Sequence, residues 1–307
     1  MSTLAYLGPE GTFAHAALRR LPIAHGATLL PVSTVSLAID AVRTGQAAGA
    51  LVPLENSVEG AVPATLDELA TGGPLVVAEE TYLPVAFDLL VRPGTTLTGI
   101  RTVATHPHAE AQVRGWLRRT VPQAELTLVS STAAGAKAVA DGEYDAAVAA
   151  AVAGELYGLT TLAGDIGDNS GAVTRFVLLR RPVPPPPRTG NDRTTLVAYL
   201  REDHSGALLE ILSEFAARAV NLTRIESRPT KGRIGQYCFS IDCEGHILDE
   251  RVGDAIAALH RVCADVRYLG SYPRRDGAQG GVPHGRTDGE FADSRDWLRR
   301  IRRSGTD

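Results

Sequence analysis

Five of the six residues from Pro182 to Pro187 are proline, and no feature of the chain restricts its fold more. Proline lacks a backbone N–H and has a fixed φ, so the stretch is semi-extended and unable to join a sheet interior. It sets a domain boundary within Arg181–Gly190, and the two sides follow different patterns.

Upstream, short apolar runs alternate with amphipathic stretches of helical period. Thr3–Leu7 breaks at Gly8-Pro9-Glu10-Gly11, and Phe13, Ala17 and Leu21 then recur at helical spacing behind Thr12 as N-cap. Ser33 or Thr34 caps a helix bearing Val35, Ala38, Ile39 and Val42. Ala48–Val52 reads as a strand, and Glu55-Asn56-Ser57 follows it ahead of a Val62, Leu66, Leu69 stripe. Val76–Leu83 is less regular and is taken as a change of lobe. Beyond it, Leu89–Val91 and Ile100–Ala104 are strand-like, and His106-Pro107 opens a helix with Ala109, Val113, Trp116 and Leu117 on one face. Leu126–Val129 is a strand, Ser130-Ser131-Thr132 caps the next helix, and Asp145–Ala149 is a strand followed by a helix to about Tyr157.

The upstream half ends on Asp168–Leu179, a polar, Gly-containing approach onto an apolar strand with Thr174 at its start. Alternation along an extended segment puts Thr174 and Phe176 on one face and Arg175 on the other. Alternating strands and helices imply mostly parallel sheets covered on both faces, which bind ligands beyond the carboxyl ends of their strands. The polar turns lie at those ends. Helix N-termini there favour an anionic ligand, although each turn taken singly is also an ordinary helix cap.

Downstream, Thr194–Leu200, Ala207–Arg218, Leu222–Glu226, Gln236–Ile241, Arg251–Val262 and Val266–Leu269 read as βαββαβ, the ferredoxin-like order. From Pro273 the chain is Gly-rich and polar and reads as disordered, apart from a Trp297, Leu298, Ile301 stripe suited to a docking helix. With 44% hydrophobic residues the 307-residue chain can build two or three cores. Its formal net charge of -4, without a block of like charges, argues against nucleic acid as a partner. No signal peptide or membrane span is apparent, and Cys238, Cys243 and Cys263 are an odd set in one region, with Cys238 and Cys243 facing opposite ways on a strand. These observations lead us to expect reduced thiols and a cytoplasmic protein.

Seven motifs in order resemble one family, the prephenate dehydratases that carry a regulatory ACT domain. They are Gly8-Pro9-Glu10-Gly11-Thr12-Phe13, Pro53-Leu54-Glu55-Asn56-Ser57-Val58-Glu59-Gly60, His106-Pro107 with Gln112, Ser131-Thr132-Ala133-Ala134, Thr174-Arg175-Phe176, Gly206-Ala207-Leu208-Leu209 and Glu226-Ser227-Arg228-Pro229. His108 and Val113 depart from the family, which often has Gln and Cys there. His106 and His108 have no third ligand spaced to make them a metal site. The chorismate mutase segment that precedes the dehydratase in some members is not expected ahead of residue 4.

The resemblance implies an α/β protein: a two-lobed catalytic region like type II periplasmic binding proteins, with parallel-rich sheets, and a C-terminal βαββαβ ferredoxin-like ACT domain. The expected boundaries are 1–181 for the catalytic region, with lobe one about 1–76 and 171–181 and lobe two about 77–170. A linker over 182–193, the ACT domain over 194–273 and the tail over 274–307 follow. The implied reaction is decarboxylating dehydration of prephenate to phenylpyruvate in phenylalanine biosynthesis, without cofactor or metal. Arogenate dehydratase, or a non-catalytic sensor of an amino acid or keto acid, are the alternatives. The resemblance gives Thr174 the leaving hydroxyl, with Asn56, Ser131 and Gln112 as polar partners; because a threonine hydroxyl is a poor acid by itself, it is expected to act as a positioned donor backed by Glu55. Thr12, Ser57, Thr132, Arg175 and Phe176 are implied to bind substrate, Arg175 as a carboxylate anchor. Gly206, Ala207, Leu208, Leu209, Asn221, Leu222, Glu226, Ser227, Arg228 and Pro229 are implied to bind allosteric L-phenylalanine between the copies of a homodimer or homotetramer.

Overall fold

The computed structural model of the chain describes residues 2–169, 171–230, 237–278 and 281–305. Two compact units emerge: residues 1–65 with 81–178, and residues 66–80 with 179–307.

The chain begins β1 (Thr3–Leu7), α1 (Phe13–Arg19), β2 (Thr28–Val32), α2 (Val35–Arg43), β3 (Gly49–Asn56), β4 (Gly60–Ala61), α3 (Pro63–Thr71) and β5 (Val76–Pro84), of which residues 66–80 of α3 and β5 are counted with the second unit. It continues β6 (Asp88–Val91), β7 (Thr102–Thr105), α4 (Pro107–Thr120), β8 (Glu125–Leu128), α5 (Thr132–Ala140), β9 (Ala146–Ala149), α6 (Ala151–Tyr157), β10 (Thr160–Ala163) and β11 (Val173–Arg180). One sheet has the order β2-β1-β3-β11-β5, with β4 paired to β3, and β1 runs parallel to β2 and β3. The other has the order β10-β6-β9-β7-β8, with β7 parallel to β8 and β9 but β6 antiparallel to β9 and β10. Each sheet is the centre of a lobe. The chain crosses between them twice, after β5 and before β11, and the crossings are tied by Val85 N to Ala172 O at 2.7 Å and Ile166 N to Phe87 O at 2.8 Å.

Local chemistry explains most elements. Thr12, Thr34, His106 and Ser131 each accept a first-turn amide as N-caps of α1, α2, α4 and α5. Three features differ from the sequence reading. Glu55 and Asn56 are the last residues of β3 and do not lie in a loop behind it. The stretch taken as a change of lobe is β5, a strand of the first sheet, so the crossing comes after Pro84. Its apolar pattern is broken by Glu80, fully buried yet paired with Arg193 at 2.5 Å. The edge strands β2 and β10 are short and largely solvated, so they carry no buried run to betray them.

The second unit holds β12 (Asp192–Tyr199), α7 (Ala207–Ala216), β13 (Leu222–Pro229), β14 (Tyr237–Glu244), α8 (Glu250–Val262), β15 (Asp265–Pro273) and α9 (Asp288–Ser304). The sheet order is β13-β14-β12-β15, antiparallel throughout, as βαββαβ requires. Gln236, expected in the third strand, lies outside the described residues. Leu196, Ile241 and Cys243 pack with Ile211 and Phe215 of α7 and Val252 and Leu259 of α8. The opposite face of this sheet is covered by residues 66–80. Arg228 donates to Asp67 Oδ1 at 3.0 and 2.8 Å, Arg267 to Leu69 O and Gly72 O, Tyr199 to Ala70 O, and Arg193 to Glu80. The domain reading by sequence had assigned that segment to the catalytic region alone.

All three cysteines are free and buried, and burial pushes Cys243 up to about 12 and Cys263 up to about 11. The tail read as disordered contains α9, which a Thr287–Glu290 capping box starts and an ion pair from Arg295 to Glu250 holds against α8. No helix is long and apolar enough to cross a membrane among the described residues.

Candidate active site

Between the two lobes of the first unit lies a cavity of about 440 Å³, enough for a small organic acid. Thr174 stands in its wall at the start of β11, 9% exposed, with Phe176 on the same side, as strand alternation requires. Asn56 Nδ2 donates to Thr174 Oγ1 at 2.8 Å. The amide cannot turn over, because Asn56 Oδ1 accepts the backbone N–H groups of Val58 at 2.8 Å and Glu59 at 3.0 Å. With an acceptor site of Thr174 occupied by Asn56, its own hydrogen is left to point at a ligand.

Helix starts provide the rest of the polar wall. Thr12 lies ahead of α1, His106, His108 and Gln112 on α4, and Ser131 and Thr132 at α5. The Gly11-Thr12 turn is held from behind, where Gly11 N donates to His15 Nδ1 at 3.0 Å and the His15 ring stacks on Tyr6. Burial, more than the opposing charge of Glu10, lowers the pKa of His15 and keeps it a neutral acceptor. Gly11 has φ +85°, and a Cβ there would lie 3.3 Å from Ala153 and 3.4 Å from Ala133, so only glycine lets this turn approach α5 and α6 of the other lobe. Ser131 Oγ accepts Ala134 N at 3.0 Å, which likewise leaves its hydrogen for a ligand.

Among the described residues the lining holds neither Lys nor Arg. Negative charge must therefore be met by first-turn amides, which have no intrahelical acceptor, and by the positive ends of the helix dipoles. His106 adds little charge. Burial first, then the neighbouring His108, lowers the pKa of His106 against the pull of Glu59, and its Nδ1 accepts His108 N at 3.3 Å. No group of three potential metal ligands occurs among the described residues. Leu7, Phe13, Val85, Phe87 and Phe176 form the dry part of the wall.

Three expected site residues lie elsewhere. Arg175 is 2% exposed, turned to the other face of β11, and bonds Glu55 Oε1 at 2.9 Å, so neither is in the cavity wall. The carboxylate-anchor role for Arg175 and the backing of Thr174 by Glu55 thus lack geometric support. Ser57 supports the backbone, its Oγ accepting Val173 N at 2.9 Å beside Thr174. Among the lining residues given no role by the sequence is Glu59, which receives Gln112 Nε2 at 2.8 Å and lies 3.1 Å from His108 Nδ1. It sits inside the Pro53–Gly60 motif, but nothing local tells that its carboxylate crosses to α4.

A two-lobed α/β domain of periplasmic-binding-protein type, with helix N-termini facing a cleft and a ferredoxin-like domain in the same chain, defines a class of two-domain protein whose cleft suits an anionic ligand. The prephenate dehydratase family model matches residues 4–183 and the ACT domain model residues 194–261. The chain is 49% identical over 304 residues to the prephenate dehydratase of Amycolatopsis methanolica, covering 99% of each. The crystal structure of an Arthrobacter aurescens prephenate dehydratase in complex with L-Phe is 48% identical, with a TM-score of 0.92 over 98% of this chain and 100% of that one. A structure described as a novel type of quorum quenching acylase is 33% identical, with a TM-score of 0.80 over 89% of this chain and 98% of its own. The chain belongs to the prephenate dehydratase family and is a lyase that acts by decarboxylating dehydration.

Proposed function

We propose that Thr174 is the hydrogen-bond donor to the departing ring hydroxyl of prephenate, held by Asn56, and that Ser131, Thr132 and Gln112 receive the substrate's carboxylates and keto group, the Thr12 hydroxyl being committed to Leu7 O at 2.9 Å. The observation that carries this reading is the Asn56–Thr174 bond of 2.8 Å, facing a cavity whose polar wall is made of helix starts. As the ring carboxylate leaves as carbon dioxide, its C–C electron pair enters the ring, the ring C–O bond breaks, and the departing oxygen takes a proton, drawn ultimately from solvent, to leave as water. Aromatisation drives the step. The Thr174 hydroxyl stabilises charge developing on that oxygen, a contribution realised mainly in the transition state. The apolar wall disfavours the ionised ring carboxylate and so favours its loss. Prephenate, the substrate that names the family, is preferred over arogenate, its amino-acid counterpart. Incubating the protein separately with prephenate and arogenate, and following phenylpyruvate and phenylalanine, tests this: phenylpyruvate from prephenate is expected, and turnover of arogenate alone would refute the substrate assignment.

In the second unit, L-phenylalanine is proposed to bind at Gly206–Leu209 and Asn221–Leu222 with Glu226, Ser227 and Pro229, regulating turnover. Gly206, at φ +94°, opens α7 with first-turn amides suited to the ligand carboxylate. Leu208, Leu209, Ile225 and Tyr237 are exposed apolar residues, which supports a second copy covering this region, hence a homodimer or homotetramer. Arg228 is committed to Asp67 and is left out of the ligand contacts. The three buried thiols support a cytoplasmic setting. Equilibrium dialysis with L-phenylalanine, alongside turnover at rising phenylalanine, tests the regulation; absence of binding would refute it.

A further inference from the structure

Glu59 is the one carboxylate lining the cleft among the described residues, in a site whose substrate carries two carboxylates of its own. An unpaired carboxylate there would oppose binding. Both of its oxygens are engaged across the cleft: Gln112 Nε2 donates to Oε1 at 2.8 Å, and His108 Nδ1 lies 3.1 Å from Oε2. Glu59 is on the turn between β3 and β4 of the first lobe, whereas Gln112 and His108 are on α4 of the second. The backbone of Glu59 is itself held by Asn56 Oδ1 at 3.0 Å. A continuous polar chain thus runs from Thr174 through Asn56 and Glu59 to Gln112.

We propose that Glu59 is a positioning residue for the reaction, acting through Gln112. A carboxylate only accepts hydrogen bonds, so Gln112 must present its nitrogen to it. One amide hydrogen and the carbonyl oxygen of Gln112 are then left in a set orientation toward the substrate. By the same logic His108 Nδ1 donates to Oε2, and the imidazole, stacked on His106 at 5.2 Å, shields the carboxylate from a dianionic ligand. The contact also joins the two lobes at the mouth of the cleft, the Glu59 side chain remaining 43% exposed.

This inference rests on the dehydratase reading of the cleft, and two readouts keep the two separable. In Glu59→Ala, kcat falls about 10- to 100-fold, the scale of a misplaced polar group, while KM does not rise because a negative charge facing the substrate has been removed. Glu59→Gln, which keeps one acceptor oxygen, loses less, and the melting temperature of both variants stays near the parent's. In a Gln112→Ala background the Glu59→Ala substitution costs less than about threefold more, since the group it positions is gone. Parent-like kcat in folded Glu59→Ala, or an undiminished loss in the Gln112→Ala background, overturns the proposal. The side-chain amide resonance of Gln112, assigned by its disappearance in Gln112→Ala, reads the contact without turnover. It shifts in Glu59→Ala if the bond orients Gln112, and an unmoved resonance overturns the inference even in a preparation that fails to turn over prephenate.

Discussion

Replacing Thr174 with Val removes one hydroxyl and keeps β-branching and nearly the same volume, so the start of β11 tolerates it. In the folded protein the hydroxyl receives a hydrogen bond from Asn56 Nδ2 at 2.8 Å. Losing it leaves that half-buried amide without its acceptor, a cost of about 1 kcal/mol because water can reach the site. For a unit of this size that is a melting shift of about 2–4 °C. The kinetic effect is larger. A donor lost from a developing oxyanion costs about 3–4 kcal/mol, so kcat should fall on the order of 10²–10³-fold with KM little changed. Steady-state assays of phenylpyruvate formation, paired with thermal unfolding of the same preparation, separate the two effects. Thr174→Ser, which restores the hydroxyl without the methyl, should recover most of the loss. Folded Thr174→Val turning over prephenate within a few-fold of the parent would refute the role given to the hydroxyl.

Asn56→Asp keeps an oxygen for the Val58 and Glu59 amides but replaces the amide donor to Thr174 with an acceptor; Thr174 must then donate to the introduced carboxylate in place of substrate, and kcat should drop about 10²-fold with the melting temperature held, as kinetics and calorimetry will show. Arg175→Lys should lower stability by about 1–3 kcal/mol in urea unfolding, because the buried guanidinium serves Glu55, and leave KM within about twofold of the parent; a raised KM at unchanged stability would return Arg175 to the substrate. Asp276 is the pH probe of the second unit: burial alone would raise its pKa, but hydrogen bonds from Arg274 and the Ala278 amide and the charge of Arg193 hold it at about 2, below the ordinary 3.8. Its folded pKa is depressed, so its contribution is complete above pH 4 or so and is lost as pH falls toward 2. Asp276→Asn should therefore be less stable than the parent near neutrality, with the gap closing in acid unfolding titrations.

Local chemistry made much of this protein legible from its sequence. Caps such as Thr12, His106 and Ser131 act within one helical turn, so residue order alone reveals them. The alternation along Val173–Arg180 likewise separates Thr174 and Phe176 from Arg175 without reference to any neighbour. The proline run required two patterns of folding, and the βαββαβ order followed from period and spacing. What the chain order could not carry is which distant groups meet. Glu80 reads as a break in an apolar run because its partner Arg193 is 113 residues away, and that pairing, with the Arg275 amide at 2.9 Å, lets β5 bury a charge. Residues 66–80 follow the catalytic motif in sequence, yet Asp67 and Glu80 are fixed by Arg228 and Arg193 of the ferredoxin-like sheet. The same holds at the cleft. Glu59 and Gln112 are 53 residues apart, and a hydrogen bond of 2.8 Å between two lobes exists only once both sheets have formed and the paired crossings have brought α4 to the β3–β4 turn. Periodicity records which face of an element is buried, and capping records where it starts; the identity of the group across a cleft is a property of tertiary structure, because it depends on chain crossings that no short window of sequence contains.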